Sequence, residues 1–119
     1  MKKVNLNEKF ALFQEQWTPK LLGELNGQAV KIAKVEGEFV WHSHEEEDEL
    51  FFVVKGQLTI RLRDQDVHLS EGEFFIVPKG VEHQPIASEE AWILLFEPMA
   101  TKHTGAVDSP LTVTDYERL

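Results

Sequence analysis

Apolar and polar positions alternate with a period of two over much of the chain, the repeat of half-buried strands and not of helices. Val30 and Ile32 alternate with Lys31, and the run follows an Asn26–Gly27 pair. Asn-Gly accepts positive φ at both positions, as a tight hairpin turn requires, so a first hairpin is predicted there. A second is predicted around Lys55–Gly56, between ELFFVV (49–54) and QLTIRL (57–62). With those two residues as the turn, Val54 faces Gln57, Val53 faces Leu58, Phe51 faces Ile60 and Glu49 faces Leu62. One face then carries Glu49, Phe51, Val53, Leu58, Ile60 and Leu62, with Glu49 its odd member. The other carries Leu50, Phe52 and Val54 followed by Gln57, Thr59 and Arg61.

Phe74 to Val77 forms a third apolar run, stopped by Pro78, and Pro78-Lys79-Gly80 reads as a turn. AWILLFEP, residues 91–98, predicts a strand apolar on both faces. Residues 7–17 suit a short helix or an arm, and the weakly patterned stretch from Thr101 to Leu119 is expected to wrap the surface. Short strands separated by turn signals at this spacing indicate an all-β sandwich or small barrel. A length of 119 residues suits one domain, 1–119, with one core.

Composition narrows the chemistry. The formal net charge is -9 and the basic residues are scattered, which argues against a nucleic-acid partner. There is no cysteine, so disulfides and thiolate metal sites are excluded. No apolar run resembles a signal peptide or reaches the length of a membrane span, so a cytoplasmic location and no membrane association are expected.

WHSHEEEDELFF, Trp41 to Phe52, combines a His pair with five consecutive acidic residues and then turns apolar. His42 and His44 are two apart in an extended segment and so point to one side, about 6.6 Å between Cα atoms. Both imidazoles can then reach one ion at roughly 2.1 Å. Two histidines make half a site. Glu49 is the natural next ligand, because a carboxylate on an apolar face is costly to bury unless paired or metal-bound. Glu45, Glu46, Glu47 and Asp48 read as a solvated loop. His83 follows the Pro-Lys-Gly turn, which can return it over the sheet. His68 and His103 read as ordinary surface or core residues, although His68 lies on a strand from which it can face the interior. Trp17, Trp41 and Trp92 read as packing residues, and Arg61 and Arg63 as surface charges.

Residues 37–56, GEFVWHSHEEEDELFFVVKG, resemble the first motif of the cupin superfamily: Gly, a gap, His-x-His, a gap, Glu, six residues, Gly. Residues 72–83, GEFFIVPKGVEH, resemble its second: Gly, five residues, Pro-x-Gly, two residues, His. Two departures stand out. Four residues separate Gly37 from His42 where the pattern has five, and Ala87 occupies a position where the second motif often has Asn. The resemblance implies a small jelly-roll β-barrel with one divalent transition metal ion (Zn, Fe, Mn, Ni or Cu) held by His42, His44, Glu49 and His83. It also fits a homodimer. Leu50, Phe52 and Val54 lie on an outer face that a chain this short has little left to cover.

Two functions follow as expectations. One is a metal-dependent enzyme acting on a small organic molecule, with dioxygenase, isomerase and decarboxylase chemistry all compatible with the site. The other is a non-catalytic module that binds metal or a small ligand for sensing. The predicted lumen is apolar, and no Lys or Arg is placed on an inner strand. A sugar-phosphate substrate is therefore not expected.

Overall fold

The computed structural model describes residues 2–107, 109–113 and 115–119. It is an antiparallel β structure with one short helix, α1 (Leu6–Phe10). The strands are β1 (Lys20–Leu25), β2 (Gln28–Glu38), β3 (Glu49–Lys55), β4 (Leu58–Leu62), β5 (Asp66–Leu69), β6 (Phe74–Val77) and β7 (His83–Pro98). The larger layer runs β1-β2-β7-β3-β6, and β4 adds to β7 and carries β5. β7 is the common spine. Its first residues, His83–Ile86, pair with β4, and its later residues pair with β2 on one side and β3 on the other.

The Asn26–Gly27 hairpin forms as its sequence demands. Both residues have positive φ, 51° and 79°, and Leu25 pairs with Gln28. The second hairpin does not form. β3 pairs with β6 and β7, β4 pairs with β5 and β7, and no ladder joins β3 to β4. At Gly56, with φ 87°, the chain crosses from one layer to the other. The assignment of faces survives. Phe51, Val53, Leu58 and Ile60 are all buried in the interior cluster, with Leu62 packed against it. They meet across the barrel instead of along a hairpin, so the same period-two pattern serves either connection.

A second apolar cluster lies outside the large layer, where Phe10 and Phe13 pack on Leu22 and Ile32 with Val54, Trp92 and Leu94 around them. The N-terminal arm therefore covers part of the outer face. This reverses the inside and outside of β2. Val30 and Ile32 pack outward beneath the arm, while Ala33 and Val35 belong to the interior and Lys31 is buried with 1% exposure. The C-terminal stretch folds back as expected. Leu21 N–H donates to the Glu117 carbonyl at 2.8 Å, and Leu119 N–H donates to the Leu21 carbonyl at 3.0 Å. Among the described residues no helix is long and apolar enough to cross a membrane.

Candidate metal centre

His42 is extended but not part of a regular strand. A two-residue bridge ties it to His83 at the start of β7, with His42 N–H to the His83 carbonyl at 3.1 Å and the reverse bond at 2.9 Å. His44 is held through its own carbonyl, which accepts from Gly80 N–H at 2.7 Å. That bond joins the His-x-His segment to the Pro78-Lys79-Gly80 turn, where Gly80 has φ 79°. Asp48 adds a second tie, accepting from Lys79 N–H at 2.8 Å. Glu49 opens β3 on its inward face.

These constraints bring His42, His44, Glu49 and His83 together, one potential ligand atom from each lying within 4.8 Å of the others. All four are buried. His42 Nδ1 lies 2.9 Å from the Val40 carbonyl and His83 Nδ1 lies 2.9 Å from the Val81 carbonyl. Each carbonyl can only accept, so each Nδ1 bears the proton and each Nε2 offers a lone pair. His44 Nε2 and His83 Nε2 lie 3.2 and 3.4 Å from Glu49 Oε1, at ion-pair distance but without hydrogen-bond geometry. The Nε2 atoms of all three histidines and Oε1 of Glu49 are thus buried without hydrogen-bond partners. Orphaned buried polar atoms are rare and costly. A mixed N/O set with its lone pairs converging fits a divalent transition ion.

Without an ion His42 resists protonation. His42 is lowered to about 4, chiefly by burial and then by the nearby His83. Glu49 shows the opposite balance. Burial alone would raise it, but the neighbouring Glu97, His44 and His83 side chains hold it well below the usual carboxylate range.

Glu97 was hidden in a run read as apolar on both faces. β3 and β7 pair Leu50 with Phe96, and one further step of that register sets Glu97 opposite Glu49. Two carboxylates directly opposite would repel. Burial and then the Glu49 charge push Glu97 well above the usual carboxylate range. Behind it Lys31 Nζ donates to Glu97 Oε1 at 3.0 Å and to the Thr101 carbonyl at 3.2 Å, and sits 3.9 Å from the Tyr116 ring centroid. The expectation of no inner-strand cation is therefore corrected: Lys31 is inside, because Glu97 and the Thr101 carbonyl satisfy its ammonium there.

Beside the four residues lies a cavity of about 30 Å³ lined by Trp17, Phe39, Phe51, Ile93, His42, Glu49 and His103 among others. Trp17 and Phe39 are stacked at 4.6 Å, and Phe39 lies 5.3 Å from the His103 ring. His103 is the second residue the pattern missed. Its Nε2 lies 2.8 Å from the Leu111 carbonyl and so carries the proton. Its Nδ1 faces the Tyr116 hydroxyl at 3.3 Å. Both nitrogens are engaged, and His103 presents the cavity with a ring, not a base. His68 is exposed on β5, its Nδ1 2.9 Å from Thr59 Oγ1, and does not face the interior. Arg63 is a surface charge as expected and lies 3.8 Å over the Trp41 ring, pairing with Glu82 at 3.2 Å. The acidic loop stays largely at the surface, with Glu45 and Glu46 exposed.

An antiparallel barrel enclosing three histidines and a glutamate defines a class of barrel proteins with an internal site. Residues 29–97 match the cupin domain family, and the chain belongs to it. A cupin-2 domain containing protein from Shewanella frigidimarina is 49% identical, with a TM-score of 0.79, covering 80% of this chain and 93% of that one. The uncharacterized protein YdbB of Bacillus subtilis is 36% identical over 64 residues, 53% of this chain and 57% of that protein. The 3-hydroxyanthranilate 3,4-dioxygenase of Xenopus tropicalis is 35% identical over 57 residues, 44% of this chain but 20% of the enzyme. The chain thus matches little more than half of the Bacillus relative and a fifth of the dioxygenase.

Proposed function

We propose that His42, His44, Glu49 and His83 hold one divalent transition metal ion, and that the chain is a metal-dependent enzyme acting on a small, largely apolar molecule. The observation that supports this most is the convergence of unpartnered ligand atoms at the wall of an aromatic cavity. A purely structural site would be closed by protein ligands on every side. Bound there, the ion would supply Lewis acidity or, if redox-active, dioxygen activation.

The residues around the cavity favour the oxygenase type over the isomerase and decarboxylase types. Apart from the four ligands, no side chain lining it is free to take a proton, since both His103 nitrogens are engaged and Trp17 Nε1 donates to the Glu36 carbonyl at 2.9 Å. Enolisation would want a separate base there. Nor does any cation line the cavity for a phosphate, because Lys31 is committed to Glu97 and Thr101. What the wall offers is aromatic surface, which suits a flat apolar substrate. The partial similarity to a dioxygenase supports the same choice.

The small volume favours a second reading, a non-catalytic metal-binding module. About 30 Å³ admits a water or a diatomic, and a larger substrate needs the wall to open. The test is to load tag-free protein with iron, manganese, nickel, copper or zinc and follow oxygen uptake with a panel of small aromatic substrates. Tight binding with no turnover on any loaded form supports the binding module. Failure to bind any ion at neutral pH sinks both readings.

We also propose a homodimer. Phe74 and Ile76 on β6 are 58% and 48% exposed, beside Phe52 and Leu50. The four form the part of the outer sheet face that the N-terminal arm leaves open. Of the expected outer-face residues, Val54 is covered by the arm cluster and is left out of the proposed interface.

A further inference from the structure

We propose that Trp17 is the movable wall of the cavity, and that a flat aromatic substrate takes the place of its indole against Phe39. This inference rests on the enzyme reading above and gives a cavity of about 30 Å³ a way to admit a ring.

Among the described residues that line the cavity, Trp17 is the one that reaches solvent, and the rest are buried, Phe39, His42 and Glu49 included. The indole therefore separates the interior from the outside. It lies flat on Phe39, with 4.6 Å between ring centroids and 18° between planes. Aromatic rings attract in such stacks, so an incoming ring of similar size gains the same contact. It would then lie beside the candidate ligands, because the Phe39 ring stands 5.5 Å from the His42 ring.

The two halves of the stack are held differently. Phe39 is fixed through its main chain, its N–H donating to the Pro85 carbonyl at 2.9 Å and its carbonyl accepting from Gln84 Nε2 at 3.0 Å. The main chain of Trp17 is also anchored, its N–H donating to the Lys34 carbonyl at 2.8 Å. Its indole has a single donor, Nε1, and this meets the Glu36 carbonyl at 2.9 Å. Glu36 is exposed and lies where the β2–β7 register breaks, between Val35 and Gly37. Water can therefore replace the indole N–H when the ring turns out. The backbone of Trp17 carries a further mark, a φ of 56° in the connection between α1 and β1. Among the described residues Asn26 is the only other non-glycine with positive φ, and a tight hairpin turn requires it there. A bulky residue in the left-handed region is costly, and such outliers gather at ligand clamps and switch regions. Here the cost brings an indole over the opening.

The test uses indole as the probe on the full chain without added metal, with isotope-labelled tryptophan observed by NMR. Trp17, Trp41 and Trp92 each give one indole N–H signal, and Trp17→Phe identifies the first by its loss. Adding indole to wild type is expected to shift the Trp17 signal, as its N–H leaves the Glu36 carbonyl, and to leave the other two in place. Trp17→Gly removes the ring and suits a left-handed backbone. It is expected to bind indole about tenfold tighter than wild type or more, since no closed state then competes. Adding Phe39→Leu is expected to abolish that gain. Indole that binds wild type without moving the Trp17 signal would overturn the proposal, as would no binding to wild type or to Trp17→Gly. A folded Trp17→Gly that binds no tighter than wild type would also overturn it. If Trp17→Gly does not fold, the wild-type spectrum decides alone. Zinc uptake by wild type, followed by chelator competition, tests the metal reading separately. No uptake with a moving Trp17 signal would sink that reading and keep the movable wall, whereas uptake with an unmoved signal would sink the wall and keep the site.

Discussion

His42 and His83 hold each other through their main chains, with bonds in both directions at 3.1 and 2.9 Å, while their rings lie 4.2 Å apart. The link between the two motifs therefore does not depend on either imidazole. His83→Ala should keep the barrel yet cost metal affinity about a hundredfold or more, beyond the effect of an outer residue. In the presence of metal the variant should also melt lower than wild type at neutral pH, because it has lost the stability that binding to the native state adds. Glu46→Gln, in the exposed loop, should change neither. Melting curves with and without chelator decide this, and equal damage from both variants would mean the wrong carboxylate has been assigned.

The apolar grid on the outer layer makes a second expectation. Phe74, Phe52 and Leu94 align across β6, β3 and β7, and Ile76, Leu50 and Phe96 form the row beside them. Contiguous exposed apolar surface of this kind marks an interface. Phe74→Glu and Phe52→Glu should each shift a dimer toward monomer in sedimentation at micromolar concentration. A wild type already monomeric there would refute the homodimer.

His103 gives a pH signature that can be isolated by difference. Burial lowers its pKa, opposed by its bond to Leu111 and by the charge of Glu49, while Lys31 adds to the depression. In the unfolded chain it titrates near 6.5. As pH falls through that value the unfolded state gains a proton that the folded state refuses, so stability drops on acidification and is unaffected well above it. Ion-free wild type should therefore lose more stability than His103→Gln below about pH 6.5, with parallel curves above. Urea titrations across this range test it, and parallel curves down to pH 5 would contradict the assignment.

Gly105 fastens the C-terminal segment over the site. With φ 61°, it lies so close to the Ser43 carbonyl that a Cβ there would overlap it, and His42 lies just beyond. Gly105→Ala combines a steric clash with a left-handed backbone and should cost on the order of 1–3 kcal/mol. Faster proteolysis after residue 99 should accompany the loss. A variant as stable and as resistant as wild type would show that this segment moves freely.

The ligand set was legible because its logic is local. His42 and His44 needed only an extended chain, and Glu49 stood out as one carboxylate among apolar neighbours. Asn26–Gly27 was legible for the same reason, since its backbone requirement lies within two residues. Strand partners were not. A period-two pattern says which side of β3 and β4 is buried but not whether they meet side by side or across the barrel. Lys31 was misplaced because both faces of β2 are covered, so alternation no longer separates inside from outside. Glu97 and His103 lacked any nearby signal. Each is defined by partners far along the chain, Lys31 and Glu49 for the first and Leu111 and Tyr116 for the second.

β7 begins with His83 and, fifteen positions on, reaches Pro98 just past Glu97, passing between β2 and β3 on the way. No layer of the barrel can separate without stripping partners from this strand. Its central amide protons, from Ala91 to Phe96, should therefore be among the last to exchange with deuterated solvent, opening only when the whole molecule does. An ion held at His83 would slow that exchange along the length of the strand, so occupancy of the site could be read at amides well removed from it.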